Sequence, residues 1–247
     1  MSTALTPSGG ARARVREELT QLIADTARRQ LGEVGGAALS VRAVARELGM
    51  SSSAVFRYFP SRDALLTRLI VDSYSALGDA AEQAEAAVHE GTVAERWRAI
   101  CHGVRAWAVE HPHEYALIFG SPIPGYDAPA DTVAPAGRVP ALLSDLLTGP
   151  RSAAESAGHP ATPAASGPAE APESPIDAAF RASFAPLMGV MPDGVPAELA
   201  LHGLMAWTYL FGAVSFEVFG HRHVVISDPA TFFDREVVRL AELLRIV

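Results

Sequence analysis

The fold is decided by residues 40–66, which read SVRAVARELGMSSSAVFRYFPSRDALL. A short helical pattern runs to Gly49, restarts after three serines and ends before Pro60, where another helix start follows. In a helix-turn-helix, one helix braces the turn and the next lies in the major groove of DNA. The stretch supplies both helices and therefore predicts this motif.

Each helix of the motif has an inner and an outer face. Helical spacing places Val44 and Leu48 on the inner face of the first helix, and Val55 and Phe59 on the inner face of the second. Ser51 is the natural N-cap of the second helix, which we expect to run from there to Phe59. The residues left outside are small or cationic, as a surface that meets DNA requires.

The same residues carry a resemblance to a known family. The runs VARELGMS (residues 44–51) and FRYFPSRDAL (residues 56–65) resemble, almost position by position, the signature of the tetracycline-repressor (TetR) family of transcriptional regulators. The resemblance implies an all-α fold with a three-helix DNA-binding head and a larger helical trunk for ligand binding and dimerisation. Two positions depart from the family pattern, since Phe56 replaces a usual tyrosine and Arg62 a usual lysine.

The resemblance also assigns DNA contacts by position. It implies that some outward side chains read bases and that others hold phosphates: Ser52, Ser53 and Arg57 for bases, and Ser40, Arg42, Tyr58 and Arg62 for phosphates. Ser51 belongs to the same surface, although capping is its favoured role. Phe56 lacks the hydroxyl that commonly touches a phosphate there. Packing in the domain core is an equal alternative for Tyr58, and a solvated surface position is the weaker alternative for Arg57.

Charge is distributed unevenly along the 247 residues, whose net charge is −8. Residues 1–70 hold ten arginines against six acidic residues, a balance of +4, whereas residues 71–247 have a balance of −12. A basic head on an acidic trunk suits a DNA-binding regulator, because the trunk is repelled by DNA while the head is attracted.

Several classes of protein find no support in the sequence. No apolar run of about eighteen residues is present and the first residues lack an apolar signal core, so we expect a cytoplasmic protein without a membrane span. The single cysteine, Cys101, fits a reducing compartment. No phosphate loop, serine elbow or Cys/His couple occurs, which argues against an enzyme.

Two histidine pairs are the nearest approach to a metal site. His111 and His113 form one pair, and His221 and His223 form the other. Neither has a neighbouring cysteine or carboxylate cluster that would complete a tetrahedral set. We therefore expect neither a metal nor a cofactor.

Composition divides the chain into regions. We expect a disordered tail over residues 1–10, the DNA-binding head over 11–62, and the effector-binding and dimerisation domain over 63–247. Within the last of these, 21 of the 27 residues from 149 to 175 are Ala, Pro, Ser or Gly. Such a segment buries too little apolar surface to offset its ordering entropy, so a disordered loop is predicted there.

The end of the chain predicts two long apolar helices, at residues 196–219 and 228–246. Pairs of such helices from two protomers can form a four-helix bundle, and the resemblance favours a homodimer of this kind over helices that only complete the intrachain core. The segment WTYLFG at residues 207–212 also resembles the WHG domain found in part of the family, with phenylalanine in place of the histidine.

The trunk also contains large apolar side chains and a few polar donors, as pockets for small molecules do. Each of these side chains taken alone could equally lie in a core, but together they suggest a pocket for a small apolar or amphipathic effector. The tentative set is Trp97, Trp107, Tyr115, Phe119, Tyr126, Met188, Met205, Trp207 and Tyr209.

The favoured function is a dimeric, ligand-responsive repressor on a near-palindromic operator. The alternatives are a DNA-binding regulator without an effector and a small-molecule-binding protein that has lost DNA binding.

Overall fold

The computed structural model describes residues 9–148, 179, 182–183 and 197–243, and in these residues every regular element is helical. The helices are α1 (Gly9–Ala38), α2 (Val41–Glu47), α3 (Ser52–Val55), α4 (Arg62–Ala86), α5 (Val93–Glu110), α6 (Pro112–Phe119), α7 (Val133–Ala136), α8 (Arg138–Thr148), α9 (Ala197–Val218) and α10 (Pro229–Leu243). A 3₁₀ turn at Ala130–Thr132 precedes α7. The all-α prediction is confirmed.

The first helix is longer than predicted at its start and is interrupted near its end. It begins at Gly9, so residues 9 and 10 are helical and do not belong to a disordered tail. The good helix formers that follow, beginning with Ala11, account for the extension. At Gly35 the backbone has φ 70° and ψ 166°, a conformation that is essentially restricted to glycine. The break predicted there occurs.

The chain forms two compact units. The first unit comprises Met1–Ala76 with Glu110–Ala136, and the second comprises Leu77–Val109 with Gly137–Val247. The first unit therefore extends beyond the predicted head at residues 11–62. The reason is that α6 and the residues after it, up to Tyr126, also pack against the core of the head; we call residues 112–126 the α6 segment. Among the residues that do so are Leu117, Ile123 and Tyr126.

The core of the first unit is made by the inner faces that the sequence predicted. Val44 on α2, Val55 on α3 and Phe59 are buried together with apolar residues of α1 and α4. Ser61 caps α4 by accepting a hydrogen bond from the amide of Ala64 at 3.0 Å. The helix-turn-helix is therefore seated on a continuous apolar cluster.

The second unit has its own core around α5. Trp97 is 1% exposed, and its indole Nε1 donates a hydrogen bond to the carbonyl oxygen of Val237 on α10 at 3.0 Å. Cys101 is fully buried on the same helix, and burial raises the pKa of its thiol. Arg105 forms a forked ion pair with Glu217 of α9, at 2.8 Å from Nε and 2.5 Å from Nη2. These contacts fix α9 and α10 on α5.

Two of the predicted regions lie largely outside the described residues. The loop at residues 149–175 and the position of Met188 fall there. The last two predicted helices appear as α9 and α10, and residues 196 and 244–246 of the predicted ranges lie outside the described part of the chain. Within the described part of the chain, no helix has both the length and the apolar character that crossing a membrane requires.

Candidate nucleic-acid interface

The first helix of the motif, α2, is tied to α1 by side-chain hydrogen bonds. Glu47 accepts one from Gln30 Nε2 at 2.6 Å and one from Arg29 Nη2 at 3.0 Å, and these bonds lower the pKa of Glu47. The chain then turns at Gly49, whose φ of 65° lies in the left-handed region that favours glycine. α2 thus braces the turn.

The recognition segment, residues 51–59, is less helical than predicted. The α-helix covers Ser52–Val55 instead of the whole range Ser51–Phe59. After it, the amide of Arg57 donates to the carbonyl of Ala54 at 3.3 Å, which is the tighter i→i+3 pattern of a helix end. Pro60 disfavours helical backbone at Phe59, the residue directly before it, and so prevents a helix from continuing past this segment.

Capping and burial hold this segment in place. Ser51 Oγ accepts a hydrogen bond from the amide of Ala54 at 3.3 Å and lies 3.1 Å from Ser53 Oγ. Val55 and Phe59 are buried beneath the segment. Ser51 therefore acts as the N-cap, the role that the sequence favoured for it.

The outward face of the motif is open to solvent. Ser53, Phe56 and Arg57 are exposed, and Ser52 is half-buried. Arg42 is exposed on α2. Within the described residues, neither arginine forms an ion pair, so both guanidinium groups are accessible to an anionic partner such as DNA.

Two further predicted contacts lie at the edges of this face. Ser40 occupies the N-cap position of α2 with extended backbone, yet its hydroxyl makes no capping hydrogen bond. Tyr58 is half-buried and packs against the head core, and the guanidinium carbon of Arg16 lies 5.6 Å from its ring centroid. Tyr58 thus has a packing role, while its position beside Arg57 keeps it near the outward face.

Arg62, the first residue of α4, reaches back to the end of α1. Its Nε donates to the carbonyl of Leu39 at 3.1 Å, and its Nη2 donates to those of Gly36 at 2.8 Å and Ala37 at 2.9 Å. The sequence suggested that a phosphate would supply the partner that this cation lacks, whereas here backbone carbonyls supply it. Arg62 therefore joins the segment before Ser40 to the start of α4, with the helix-turn-helix between them.

Replacing Arg62 with lysine is expected to lower the free energy of unfolding by about 1–3 kcal/mol, since hydrogen bonds from a charged donor contribute about that much. A compact ammonium group cannot reproduce the three-way contact of a planar fork. Denaturant unfolding measures the loss, and Arg42→Lys is the matched control because Arg42 is exposed. A lysine variant as stable as the parent would contradict the proposed role of Arg62 as a clamp.

Two family models match the chain. One, described as "Bacterial regulatory proteins, tetR family", matches residues 23–69 and contains the helix-turn-helix. The other, described as "Tetracyclin repressor-like, C-terminal domain", matches residues 97–240, more than half of the chain. The chain belongs to the TetR family.

Individual relatives agree with this assignment. The HTH-type transcriptional regulator Rv1816 of Mycobacterium tuberculosis is 36% identical over 243 residues, which cover 95% of this chain and 96% of the relative. The crystal structure of a regulatory protein, SCO4313, is similar with a TM-score of 0.72 at 30% identity, covering 93% of this chain and 98% of the other. A Rhodococcus sp. RHA1 protein of unknown function shows the same fold, with a TM-score of 0.62 at 22% identity and coverage of 92% and 93%.

Membership of the TetR family makes this chain a DNA-binding transcriptional regulator and not an enzyme. The match over residues 97–240 confirms a TetR-type C-terminal domain. The finer assignment of residues 207–212 to a WHG domain stays a prediction.

The tentative effector residues of the second unit lie in different environments. Trp97 and Trp107 are buried, and the indole N–H of Trp97 is satisfied by a backbone carbonyl. Trp207 is half-buried, with its ring 5.6 Å from that of Phe211. Met205 and Tyr209 are exposed on α9. The apolar pattern of the sequence does not separate core, cavity and outer surface, so this set of effector residues stays a prediction.

The effector residues of the first unit also have structural partners. Tyr115 is fully buried, and its ring lies 5.0 Å from that of Phe119. The hydroxyl of Tyr126 lies 3.0 Å from Thr67 Oγ1. The ring of Phe119 also lies 5.9 Å from that of Tyr74 on α4, so Phe119 and Tyr126 help to hold the α6 segment against α4.

A cleft of about 250 Å³ in the first unit was missed by the sequence reasoning. It lies against the break in α1 and is bounded by Gly36, Ala37, His113, Leu117 and Ile123, among others. None of the tentative effector residues lines it. Two sequence features could have indicated this cleft: Gly35-Gly36, where α1 is interrupted, and the Pro/Gly-rich loop at residues 120–125. Both leave backbone without covering side chains.

Proposed function

We propose that this TetR-family regulator is a ligand-responsive repressor that binds a near-palindromic operator as a homodimer. The observation that carries the DNA part is the exposed Arg57 in a segment anchored by Val55 and Phe59. Two such segments, one from each protomer, would enter successive major grooves about 34 Å apart. The proposal places the protein in the cytoplasm, where operator DNA is accessible.

Within each half-site, the proposed roles follow exposure. Arg57 and Ser53 would read base edges, with Ser52 beside them, because they lie on the outward face of the recognition segment. Arg42 and the hydroxyl of Ser40 would hold phosphates from α2. The predicted separation into base-reading and phosphate-binding residues is therefore kept, except for Arg62. Its proposed role is to hold the backbone at the end of α1 instead of binding a phosphate.

Arg57→Ala is expected to weaken operator binding by about 1–3 kcal/mol for each half-site and to relax base preference at one position of each half-site. The operator is obtained by selecting bound duplexes from a random pool, and affinity is measured by titration at fixed salt. Arg57→Lys is the matched control, because it keeps the charge but loses the two-pronged contact with a base. Unchanged affinity and preference in the alanine variant would refute the assignment.

The dimer proposal is supported by an exposed apolar stripe on α9. Met205, Tyr209, Gly212 and Phe216 follow each other at helical spacing of three or four residues, and the three large side chains are exposed. Burial and a hydrogen bond to Glu236 raise the pKa of Tyr209 to about 12, so its hydroxyl stays protonated and donates to that carboxylate. An apolar stripe of this length suits a helix of a neighbouring protomer.

The last helix, α10, continues this surface. Phe232 is exposed near its start and Leu243 is 73% exposed at its end. Leu240 on the same helix is 8% exposed and belongs to the protomer core. Leu243 and the α9 stripe are therefore the proposed dimer contacts, whereas a charge at Leu240 is expected to unfold the protomer.

Ligand response is supported by the cleft beside the break in α1. Its walls include Gly36 and Ala37, whose carbonyl oxygens accept the hydrogen bonds of Arg62. A small, mainly apolar ligand seated there would favour a conformation with a different backbone at these carbonyls. It would shift operator binding only by its difference in affinity between the two conformations.

The ligand part is tested by repeating the operator titration with a panel of small apolar compounds. Release by a compound in the parent protein, but not in Ala116→Trp, would support the cleft, since Ala116 is one of its lining residues. Operator binding that no compound changes would favour the alternative of a TetR regulator without an effector.

A further inference from the structure

The first turns of α1 stand clear of the core of the first unit. Every side chain from residue 10 to residue 18 is exposed, and Val15 within this stretch is 54% exposed. Burial on α1 begins only at Ile23. Helical stretches without a packed face gain little stability from the fold, and the side chains of this one are accessible to another molecule.

The two sides of this exposed stretch differ in charge. Because the helix repeats every 3.6 residues, Arg12 and Arg16 lie on one face. Arg14 and Glu18 share the opposite face, where their charges offset each other. Within the described part of the chain, no ion pair involves Arg12 or Arg16, so their face carries two accessible cations.

This cationic face is continuous with the surface that binds DNA. The guanidinium carbon of Arg16 lies 5.6 Å from the ring centroid of Tyr58, the residue that follows the exposed Arg57. Arg12 lies one helical turn farther along α1, about 6 Å along the axis at 1.5 Å per residue. The cations thus run from the recognition segment onto the first turns of α1.

We infer that the face formed by Arg12 and Arg16 binds the phosphate backbone of the operator duplex beside the recognition segment. Two guanidinium groups without an acidic neighbour on their face match an anionic backbone in charge, and their forked donors match phosphate oxygens in geometry. The contact adds affinity without reading sequence, because phosphates carry no base information. This inference rests on the proposed operator binding.

The test is the salt dependence of operator affinity for Arg12→Ala, Arg14→Ala and the double variant Arg12→Ala/Arg16→Ala in the full-length protein. Each phosphate contact contributes about 0.9 to the slope of log K against log salt concentration. Because two protomers bind one operator, each substitution removes two contacts, so we expect the slope to fall by about 2 in Arg12→Ala and by about 4 in the double variant. Arg14→Ala removes the same charge from the opposite face, so it is expected to change the slope by less than half as much.

A second arm varies the length of the DNA. Lengthening the duplex beyond the selected operator is expected to strengthen binding by the parent protein more than by the double variant. Equal slopes for Arg12→Ala and Arg14→Ala would overturn the inference, since the effect would then be general charge. Arg57→Ala in the same series separates the two proposals. If Arg57→Ala weakens operator binding while Arg12→Ala does not, only the inference about Arg12 and Arg16 fails. If neither variant weakens operator binding, the proposed operator binding through the Arg57 face fails as well.

Discussion

Gly212→Arg is expected to separate the dimer into monomers and to lower operator affinity by about 10²- to 10⁴-fold, because two linked half-site contacts become one. Gly212 lies in the middle of the exposed α9 stripe, and no atom of the protomer outside its own helix lies within 4 Å of a Cβ placed there. The protomer should therefore accept the new side chain, whereas a closely approaching partner helix should not. Sedimentation measures the mass, and titration with the selected operator measures the affinity.

Val133→Arg is the control for Gly212→Arg. Val133 is 69% exposed and belongs to the first unit, whereas the α9 stripe belongs to the second, and the substitution adds the same charge. It should leave both the mass and the operator affinity unchanged. A Gly212→Arg protein that still sediments as a dimer would show that α9 is not at the centre of the interface.

Trp97→Ala is expected to lower the free energy of unfolding by about 3–5 kcal/mol, the range for removing a large side chain from a packed core. The side chain is almost fully buried, and its N–H is bonded to the Val237 carbonyl, which would lose its partner. Denaturant unfolding gives the value.

Trp207→Ala is the matched control for this core substitution. Trp207 is half-buried, so its removal should cost clearly less than that of Trp97. The pair distinguishes a core tryptophan from one that lines an effector cavity. A loss of less than about 1 kcal/mol for Trp97→Ala, within the range of ordinary surface changes, would return Trp97 to the candidate effector residues.

The fold of the head could be predicted because its signals are local. Helical spacing set the inner faces of α2 and α3, and Ser51, Gly49 and Ser61 marked caps and turns that depend on a few neighbouring residues. The end of α3 was missed because the apolar pair Val55 and Phe59 continues the helical spacing even where the backbone tightens before proline.

The roles that depend on distant partners could not be predicted in the same way. Arg62 bonds to carbonyls about 25 residues away in the chain, and no pattern near it announces them. The effector residues could not be assigned from the sequence for a related reason. Trp97, Tyr115 and Met205 are all large and apolar, yet the first two are buried and the third is exposed. Burial is decided by tertiary packing, which composition does not record.

Hydroxyl-radical footprinting of the selected operator shows whether residues 51–59 of two protomers read one operator through the face that carries Arg57. We expect two protected patches related by two-fold symmetry and centred about 34 Å apart, both weakened by Arg57→Ala. A single patch, or two patches that the Arg57→Ala protein protects as strongly as the parent, would contradict this expectation.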